Sequence, residues 1–217
     1  MSDNLALANS QLDAGRTRFQ ADTGASPAEM ADLDRFLSLL TEWNERINLM
    51  GPSGLAEFWS RHAWDSAQLL TFAPDAVTFA DLGAGAGFPG IVLAILLKGR
   101  TGAKVRLVES MAKRCRFLQT VVDALALPAT VHNQRAEAGA FPVDVVTARA
   151  CAPMDRLLGY ARPWLQLSGE ALFLKGSGVE GEIAEAETTW KFSAELIASR
   201  SGAGRIVRVV GAPVARR

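Results

Sequence analysis

The segment from Asp81 to Gly90 carries the densest set of residues that can bind a small ligand. It contains four glycines, and the apolar run Val77–Leu82 leads into it. Glycine permits a tight turn and lets the backbone approach a ligand closely, and the N-terminus of a following helix presents free N–H groups. A strand that ends in glycines and leads into a helix is therefore a candidate nucleotide-type site.

The same glycines fit two cofactor motifs. Gly85–Gly90 satisfies the dinucleotide pattern G-x-G-x-x-G, and Glu109 lies near the position of its ribose-binding acid. Gly83–Gly87 satisfies equally the G-x-G-x-G pattern of S-adenosylmethionine-dependent methyltransferases. Asp81 favours the second pattern, because a carboxylate there can organise the loop and meet the ammonium group of S-adenosylmethionine. The same charge would repel a pyrophosphate, and a nicotinamide-dependent enzyme is therefore the weaker alternative.

Two further places on the chain can contact the same cofactor. Glu109 ends the second predicted strand, where its carboxylate can accept hydrogen bonds from both ribose hydroxyls. Ala136 and Glu137 follow the third predicted strand and are placed to border the adenine. The alternatives are a solvated carboxylate at a strand end for Glu109 and an ordinary surface loop for Ala136 and Glu137.

Strand–helix alternation from Ala76 onward positions these residues, and it predicts a mostly parallel sheet with helices on both faces. The predicted strands are Val77–Leu82, Val105–Glu109, Thr130–Asn133, Val143–Ala148 and Glu170–Leu174, and the predicted helices are Phe88–Lys98, Met111–Ala126, Met154–Tyr160 and Gly181–Thr188. Two final runs, Phe192–Ala198 and Arg205–Val210, predict an antiparallel hairpin at one edge. The predicted fold class is α/β, a doubly wound Rossmann-like sheet of the class I methyltransferase type.

Helices are predicted ahead of the sheet. Ser26–Glu29 reads Ser-Pro-Ala-Glu, which predicts a helix start with a serine cap, a proline in the first turn and a capping box. Apolar residues at steps of three or four continue this helix to Ile47, and a second helix is predicted over Leu55–Leu70. The predicted organisation is a flexible N-terminus at 1–25, a helical extension at 26–75 and a Rossmann-like methyltransferase domain at 76–217.

Composition argues against a membrane or secreted protein. The longest apolar stretch, Gly90–Leu97, is far shorter than the roughly 20 residues that cross a bilayer. The N-terminus lacks the pattern of a signal peptide. Cys115 and Cys151 form neither a disulfide framework nor a metal cluster. A cytoplasmic protein without a metal is expected.

The net charge of zero hides an asymmetry between the two parts of the chain. Residues 1–76 carry 11 acidic and 5 basic side chains, whereas residues 77–217 carry 12 acidic and 18 basic ones. This segregation predicts that the C-terminal two-thirds meets an anionic partner such as nucleic acid. An uneven solvated surface is the alternative.

With these residues in place, the chain resembles the glucose-inhibited division protein B family, the guanine-N7 methyltransferases of 16S ribosomal RNA. The resemblance covers roughly residues 33–176, and it includes the glycine-rich segment with its Phe-Pro-Gly ending. The other fragments that carry it are Trp43-Asn44, Asn48-Leu49, His62, Asp65-Ser66, Glu109-Ser110, Lys113-Arg114, Arg116-Phe117-Leu118, Ala148-Arg149-Ala150 and Leu174-Lys175-Gly176. Their order and spacing together are specific, although each fragment is weak alone.

The resemblance implies S-adenosylmethionine as cofactor and ribosomal RNA or the small ribosomal subunit as the partner of a monomeric enzyme. With the motif, it predicts a cofactor-binding set of Asp81, Gly83, Gly85, Gly87, Phe88, Glu109, Ala136, Glu137 and Arg149. The RNA-binding candidates are Lys113, Arg114, Arg116, Lys175, Arg205 and Arg208. Arg149 can hold the cofactor carboxylate or an RNA phosphate, with a structural ion pair as the alternative.

Methylation of guanine N7 requires few catalytic residues. N7 has a lone pair and no proton, so positioning can carry the reaction without a general base, and Arg149 is the one catalytic candidate. Thr147–Pro153 lacks the Asn/Asp-Pro-Pro-aromatic motif of exocyclic adenine methylation, and Cys151 lacks the Pro-Cys or Thr-Cys context of cytosine-C5 methylation. For His62 and Asp65, an interface hydrogen bond and a substrate contact both remain open.

Two other functions are compatible with these residues. One is a small-molecule methyltransferase on the same fold, which would leave the basic asymmetry unexplained. The other is a non-catalytic module that binds the cofactor and docks on RNA.

Overall fold

The structure, a computed structural model, describes residues 2–202 and 204–216. Met1, Ala203 and Arg217, which belong to the predicted segments, lie outside the described residues. The strands, numbered in chain order, are β1 (Thr78–Leu82), β2 (Lys104–Glu109), β3 (Ala129–Asn133), β4 (Val145–Arg149), β5 (Glu170–Lys175), β6 (Trp190–Lys191), β7 (Ala194–Ala198), β8 (Arg205–Val210) and β9 (Val214–Ala215).

Seven of these strands form one sheet in the order β3-β2-β1-β4-β5-β8-β7, while β6 and β9 pair separately. Strands β1 to β5 run parallel to one another, and β8 is antiparallel to both β5 and β7. The predicted doubly wound sheet and its C-terminal antiparallel hairpin are therefore confirmed. Since the carboxyl ends of parallel strands share one edge of a sheet, the residues that follow β1, β2, β4 and β5 converge there.

The helices cover both faces of the sheet and also precede it. They are α1 (Ser2–Thr23), α2 (Pro27–Ile47), α3 (Pro52–Ala56), α4 (Trp64–Ala67), α5 (Leu69–Phe72), α6 (Gly90–Leu96), α7 (Ala112–Leu125), α8 (Met154–Leu165) and α9 (Val179–Thr189). Two apolar clusters form the core. One joins the N-terminal helices to α6 and α7, and the other lies between α8 and the opposite face of the sheet.

The predicted start of α2 is confirmed at the level of its hydrogen bonds. The Ser26 hydroxyl accepts a hydrogen bond from the Glu29 N–H at 3.3 Å, and the Glu29 carboxylate accepts one from the Ser26 N–H at 2.7 Å. Pro27 occupies the first turn. This reciprocal cap satisfies two backbone donors that an uncapped helix would leave free.

The N-terminal 25 residues differ from the prediction of a flexible segment, because α1 extends over Ser2–Thr23. Its Phe19 is fully buried and lies with its ring centroid 5.4 Å from that of Trp59. The Arg16 guanidinium binds the Asp34 carboxylate of α2 at 2.7 Å. These contacts are long-range, and the weak periodicity of the segment gave no sign of them.

The single helix predicted over Leu55–Leu70 is also wrong in detail. The segment is divided into α3, a π-helical stretch Phe58–Ala63, and the short helices α4 and α5. In the π-helical stretch the His62 N–H donates to the Glu57 carbonyl at 3.1 Å. The wider turn buries Phe58, Trp59 and His62 together, and such turns are frequent at functional sites.

No helix among the described residues is long and apolar enough to cross a membrane. Within the same part of the chain, no group of three or more histidine, cysteine, aspartate or glutamate side chains is placed to hold a metal ion.

Candidate active site

The glycine-rich loop between β1 and α6 requires glycine for two physical reasons. Gly83, Gly85 and Gly87 have φ angles of +72°, +52° and +94°, in the region that residues with a Cβ rarely adopt. A Cβ at Gly83 would also lie 2.7 Å from the sulfur of Cys151, and one at Gly87 would lie 2.8 Å from Ile91 Cγ1. The loop therefore combines a tight backbone turn with close packing against its neighbours.

Asp81 supports this loop from below. Its side chain is fully buried; the Gly90 N–H donates to Oδ2 at 2.9 Å, and the Thr147 hydroxyl lies 3.4 Å from Oδ1. Burial disfavours the charged carboxylate and raises the pKa of Asp81 to about 7. The carboxylate thus organises the loop, as predicted, but Asp81 is not among the residues that line the cleft above it.

Glu109 supports the loop from the side of β2. The Gly85 N–H donates to Oε2 at 3.1 Å, and the Met111 N–H donates to Oε1 at 2.8 Å. The Arg114 guanidinium lies 3.8 Å from Oε2. The carboxylate links the glycine-rich loop to the start of α7, so the alternative of a freely solvated carboxylate is excluded.

Ala136 and Glu137 lie on a 3₁₀ turn, Ala136–Ala138, that follows β3. The Trp164 indole N–H donates to the Ala136 carbonyl at 2.7 Å, which fixes the turn against α8. The Glu137 carboxylate accepts a hydrogen bond from Arg135 at 2.8 Å, and that bond lowers the pKa of Glu137. Neither residue lines the cleft described next.

A cleft of about 1020 Å³ lies above the carboxyl edge of the sheet. Its walls come from the N-terminal helices, the glycine-rich loop, the ends of β4 and β5, and the connection between β7 and β8. Of the predicted cofactor-binding residues, Gly83, Gly85, Phe88 and Arg149 line it, whereas Gly87 and Glu109 do not.

His62, Phe88 and Arg149 meet inside this cleft. The Arg149 Nη2 contacts His62 Nδ1 in a short hydrogen bond. The Phe88 ring centroid lies 5.1 Å from that of His62 and 5.9 Å from the central carbon of the Arg149 guanidinium. Residues 87 positions apart are thus brought together, and the His62–Arg149 contact was not predictable from sequence spacing.

Burial lowers the pKa of both His62 and Arg149. The pKa of His62 is lowered to about 3, first by burial and then by the charges of Arg149 and Arg61, so the imidazole is neutral at physiological pH. Burial also lowers the pKa of Arg149, while Asp65, Glu57 and Asp81 act through space to raise it. An arginine side chain stays protonated in proteins, and Arg149 is therefore a buried cation beside a neutral ring.

Asp65 belongs to a separate hydrogen-bonded cluster that joins the N-terminal helices to the β7–β8 connection. Its Oδ1 accepts hydrogen bonds from Gln68 at 3.1 Å, from Ser199 at 2.8 Å and from Ser201. The Gln68 Oε1 accepts one from the Arg200 N–H at 3.1 Å. Of the two roles left open for Asp65, the interface hydrogen bond is the one that the structure shows.

The six RNA-binding candidates occupy different places. Arg114, Lys175 and Arg205 line the cleft, and Lys113 and Arg116 are exposed on α7. Arg208 lies apart, because its guanidinium pairs with Glu170 at 2.6 Å, at the opposite end of β5. The structure thus brings five of the six to the cleft or to the helix beside it.

Cys151 lies directly beneath the glycine-rich loop. Burial, with nearby Asp81 and Glu109, raises the pKa of its thiol to about 11. A nucleophilic cysteine needs its thiolate form, so this environment opposes the cytosine-C5 chemistry already disfavoured by the sequence.

The strand order, the antiparallel β8 and the glycine-rich turn after β1 together define a class I methyltransferase. A solved structure with the same fold is magnesium protoporphyrin IX methyltransferase from Synechocystis PCC 6803 with bound S-adenosylmethionine, at a TM-score of 0.55 and 17% identity. That match covers 86% of this chain and 98% of the other.

The model of the rRNA small subunit methyltransferase G family matches residues 29–204. Ribosomal RNA small subunit methyltransferase G of Caulobacter vibrioides strain NA1000 / CB15N is 58% identical, over 96% of this chain and 97% of its own. The protein of that name from Bradyrhizobium sp. strain ORS 278 is 43% identical, over 91% of this chain and 90% of its own. The chain therefore belongs to the rRNA small subunit methyltransferase G family.

Proposed function

We propose that this protein methylates N7 of a guanine in 16S ribosomal RNA of the small subunit, with S-adenosylmethionine as methyl donor. The observation that carries the proposal is the family match over residues 29–204, since it spans the glycine-rich loop and all the residues that line the cleft except Arg205. The family that the sequence resembles, the guanine-N7 methyltransferases of 16S ribosomal RNA, is the same family.

The residues beside the cleft fit the cofactor. Three glycines with positive φ keep the loop backbone free of side chains, and a volume of about 1020 Å³ exceeds what a small cofactor needs. Glu109 is held at the end of β2, on the side where ribose hydroxyls are expected. We assign the loop glycines, Phe88, Glu109, Ala136, Glu137 and Arg149 to cofactor binding, with Asp81 as their support.

When bound, S-adenosylmethionine supplies a sulfonium methyl group, which a guanine N7 lone pair can accept as the carbon–sulfur bond breaks, so that no proton moves. The side chains of the cleft then have to orient the base and exclude water. The raised pKa of Cys151 and the neutral His62 agree with a reaction that uses neither a thiolate nucleophile nor a protonated imidazole.

A basic rim supports the assignment of RNA as substrate. Lys113 and Arg116 are exposed on α7 beside the cleft. Arg114, Lys175 and Arg205 line the cleft, each paired with a carboxylate. An uncharged small-molecule substrate would leave this rim without a function. We further propose that residues 76–217 form the catalytic unit, that residues 26–75 extend it, and that the protein acts as a cytoplasmic monomer without a metal.

The decisive experiment measures transfer of a labelled methyl group from S-adenosylmethionine. Purified protein is offered 30S subunits, naked 16S RNA and a panel of small methyl acceptors, and the modified base is mapped. We expect label on guanine N7 of the 16S RNA, and the same base unmodified in cells that lack the protein. Label on small acceptors would favour a small-molecule enzyme, and cofactor binding without any transfer would favour a non-catalytic module.

A further inference from the structure

An ion pair of Lys175 and Glu182 lines the cleft at the point where β5 ends and α9 begins. The Lys175 ammonium lies 2.5 Å from Glu182 Oε2, and the two side chains are 8% and 33% exposed. A lysine so enclosed cannot follow an RNA backbone as the exposed Lys113 and Arg116 can. The pair is therefore suited to a ligand group that enters the cleft itself.

The connection between β4 and α8 holds this ion pair in one orientation. The Lys175 ammonium donates to the Ala152 carbonyl at 2.9 Å, and the Met154 N–H donates to Glu182 Oε2 at 2.8 Å. Cys151 of the same connection packs directly against the glycine-rich loop. The pair is thus fixed relative to the loop that is assigned to the cofactor.

Both members of the pair keep hydrogen-bonding capacity. An ammonium has three donors and no acceptor, whereas a carboxylate has acceptors only. Two donors of Lys175 are directed to described residues, the Ala152 carbonyl and the Glu182 carboxylate. Hydrogen bonds from described residues reach only Oε2 of Glu182. One N–H of Lys175 and Oε1 of Glu182 therefore offer a donor beside an acceptor.

This arrangement favours a neutral ligand edge over a phosphate. A phosphate that approached Lys175 would also meet the carboxylate of Glu182, and like charges repel. An edge with an acceptor next to a donor satisfies both side chains. Guanine offers this pattern on its Watson–Crick edge, with the O6 acceptor beside the N1–H donor, and adenine offers the reverse. Single-stranded RNA bases are commonly recognised on this edge.

The position of the pair in the sheet favours the methyl acceptor over the cofactor. Strand β5 lies beyond β4, on the side of β1 away from β2 and β3. The residues assigned to the nucleoside part of the cofactor, Glu109, Ala136 and Glu137, follow β2 and β3. The end of β5 is therefore left for the group that receives the methyl.

We infer that Lys175 and Glu182 select the target guanine by its Watson–Crick edge, with Lys175 donating to O6 and Glu182 accepting from N1–H. N7 lies on the opposite, Hoogsteen edge of the base, so this contact leaves its lone pair free to attack the methyl group. Enzymes that modify a base commonly take it out of the stack and read the same edge. The inference rests on the proposed function and states how its base is chosen.

The test uses 30S subunits reconstituted with 16S RNA that carries guanine or 2-aminopurine at the methylated position. 2-Aminopurine keeps N7 but lacks both O6 and N1–H. For the wild-type protein we expect kcat/KM to fall about 10- to 100-fold on 2-aminopurine, because charge-assisted hydrogen bonds are missing. Lys175→Met should lower kcat/KM on guanine and show a smaller penalty for 2-aminopurine.

Glu182→Gln gives the sharper result. Its amide keeps an oxygen for the Met154 N–H and adds an N–H that can donate to N1 of 2-aminopurine. The ratio of kcat/KM on guanine to that on 2-aminopurine should therefore fall about 10-fold relative to wild type. A variant that only loosened the β4–α8 connection would lose the same factor on both bases and keep the wild-type ratio.

Glu180→Gln is the matched control. Glu180 lies on the same helix and pairs with Arg205 at 3.6 Å, but it is not among the residues that line the cleft. This variant should keep the wild-type ratio between the two bases. Binding of S-adenosylhomocysteine, measured by calorimetry, should be unchanged in all three variants. Urea unfolding checks Lys175→Met, and Glu182→Gln decides alone if that variant does not fold.

Two results would overturn the inference. One is the wild-type ratio between guanine and 2-aminopurine in Glu182→Gln, which would exclude contact with the base edge. The other is a loss of S-adenosylhomocysteine affinity in Glu182→Gln that accounts for its lost activity, which would place the pair on the cofactor. Failure of the wild-type protein to methylate N7 in the unmodified subunit would instead overturn the proposed function.

Discussion

The backbone conformation at Gly83 makes substitution by any other residue unfavourable, whatever the chemistry of its side chain. Its φ of +72° strains any residue with a Cβ, and that Cβ would lie 2.7 Å from the Cys151 sulfur. We expect Gly83→Ala to lower the free energy of unfolding by about 1–3 kcal/mol and to abolish binding of S-adenosylmethionine in calorimetry.

Gly99→Ala is the control for that variant, because a Cβ at Gly99 would meet no atom within 4 Å. It should unfold at wild-type urea concentrations and bind the cofactor normally. If Gly83→Ala retained its affinity for the cofactor, the loop would be able to relax around the new Cβ, and cofactor binding would not require glycine at this position.

His62 should make the stability of the protein depend on pH. Its pKa is about 3 when folded and near 6.5 when unfolded, so the unfolded chain binds more protons between these values. The stabilising contribution of the neutral imidazole is present above pH 6.5 and is lost as the pH falls toward 3. Relative to His62→Asn, we expect wild type to lose about 2 kcal/mol of unfolding free energy between pH 7 and pH 5.

Urea unfolding at several pH values measures this difference. The chain has two histidines, so the proton spectrum of His132→Asn contains the His62 signal alone. That signal should not move between pH 7 and pH 5. If the free energy of unfolding had the same pH dependence in wild type and in His62→Asn, the imidazole of His62 would not be buried in its neutral form.

At the scale of secondary-structure elements, Asp65 connects α4 to the β7–β8 connection. Its Oδ1 accepts three hydrogen bonds from buried or half-buried side chains, and Asp65 is 7% exposed. We expect Asp65→Ala to lower the free energy of unfolding by about 2–4 kcal/mol, because several donors would be left unpaired. Amide exchange at Arg200 and Ser201 should become faster.

Asp34→Ala removes an ion pair with Arg16 between two partly exposed side chains, and it is the matched control. It should change the free energy of unfolding by about 0–1 kcal/mol and leave exchange at Arg200 and Ser201 unaltered. An equal effect of the two variants would mean that the Asp65 cluster contributes no more than a surface pair.

Elements with strong local signals were predicted well. The capping box of α2, strands β1 to β5 and the terminal hairpin all have residue types whose preferences agree with their final environment. The errors fall where packing overrides local preference. Helix α1 is held through the buried Phe19, and the π-helical stretch buries His62 together with Phe58 and Trp59.

For the whole molecule, the asymmetric charge predicts how RNA binding responds to salt. Lys113 and Arg116 are exposed on α7 beside the cleft, whereas Arg208 is paired with Glu170 away from it. RNA affinity should fall steeply with salt. A Lys113→Ala/Arg116→Ala double variant should reduce the slope of log affinity against log salt by about 1 for each phosphate that it no longer neutralises.

Fluorescence anisotropy with labelled 16S RNA measures the slope of log affinity against log salt concentration. A range of roughly 50 to 200 mM salt is suitable, because the affinity of phosphate contacts changes strongly over it. Arg208→Ala should reproduce the wild-type slope. A double variant with an unchanged slope would exclude α7 from the RNA interface.

The fold class, the glycine-rich loop and the family could all be inferred from the amino-acid sequence, because these depend on local periodicity and on residue types at short spacing. The loop glycines, Asp81 and Glu109 fall within 29 residues of one another, so one strand–turn–helix unit and its neighbour place them. The charge asymmetry was equally visible without a structure.

The side chains that meet across the cleft could not be inferred without the three-dimensional structure. His62 and Arg149 are 87 positions apart, and Asp65 and Ser199 are 134 apart. Their contacts depend on how the N-terminal helices pack against the carboxyl edge of the sheet, which local preferences do not encode. The same packing buries His62 and leaves Arg149 Nη1 without a hydrogen bond to any described residue.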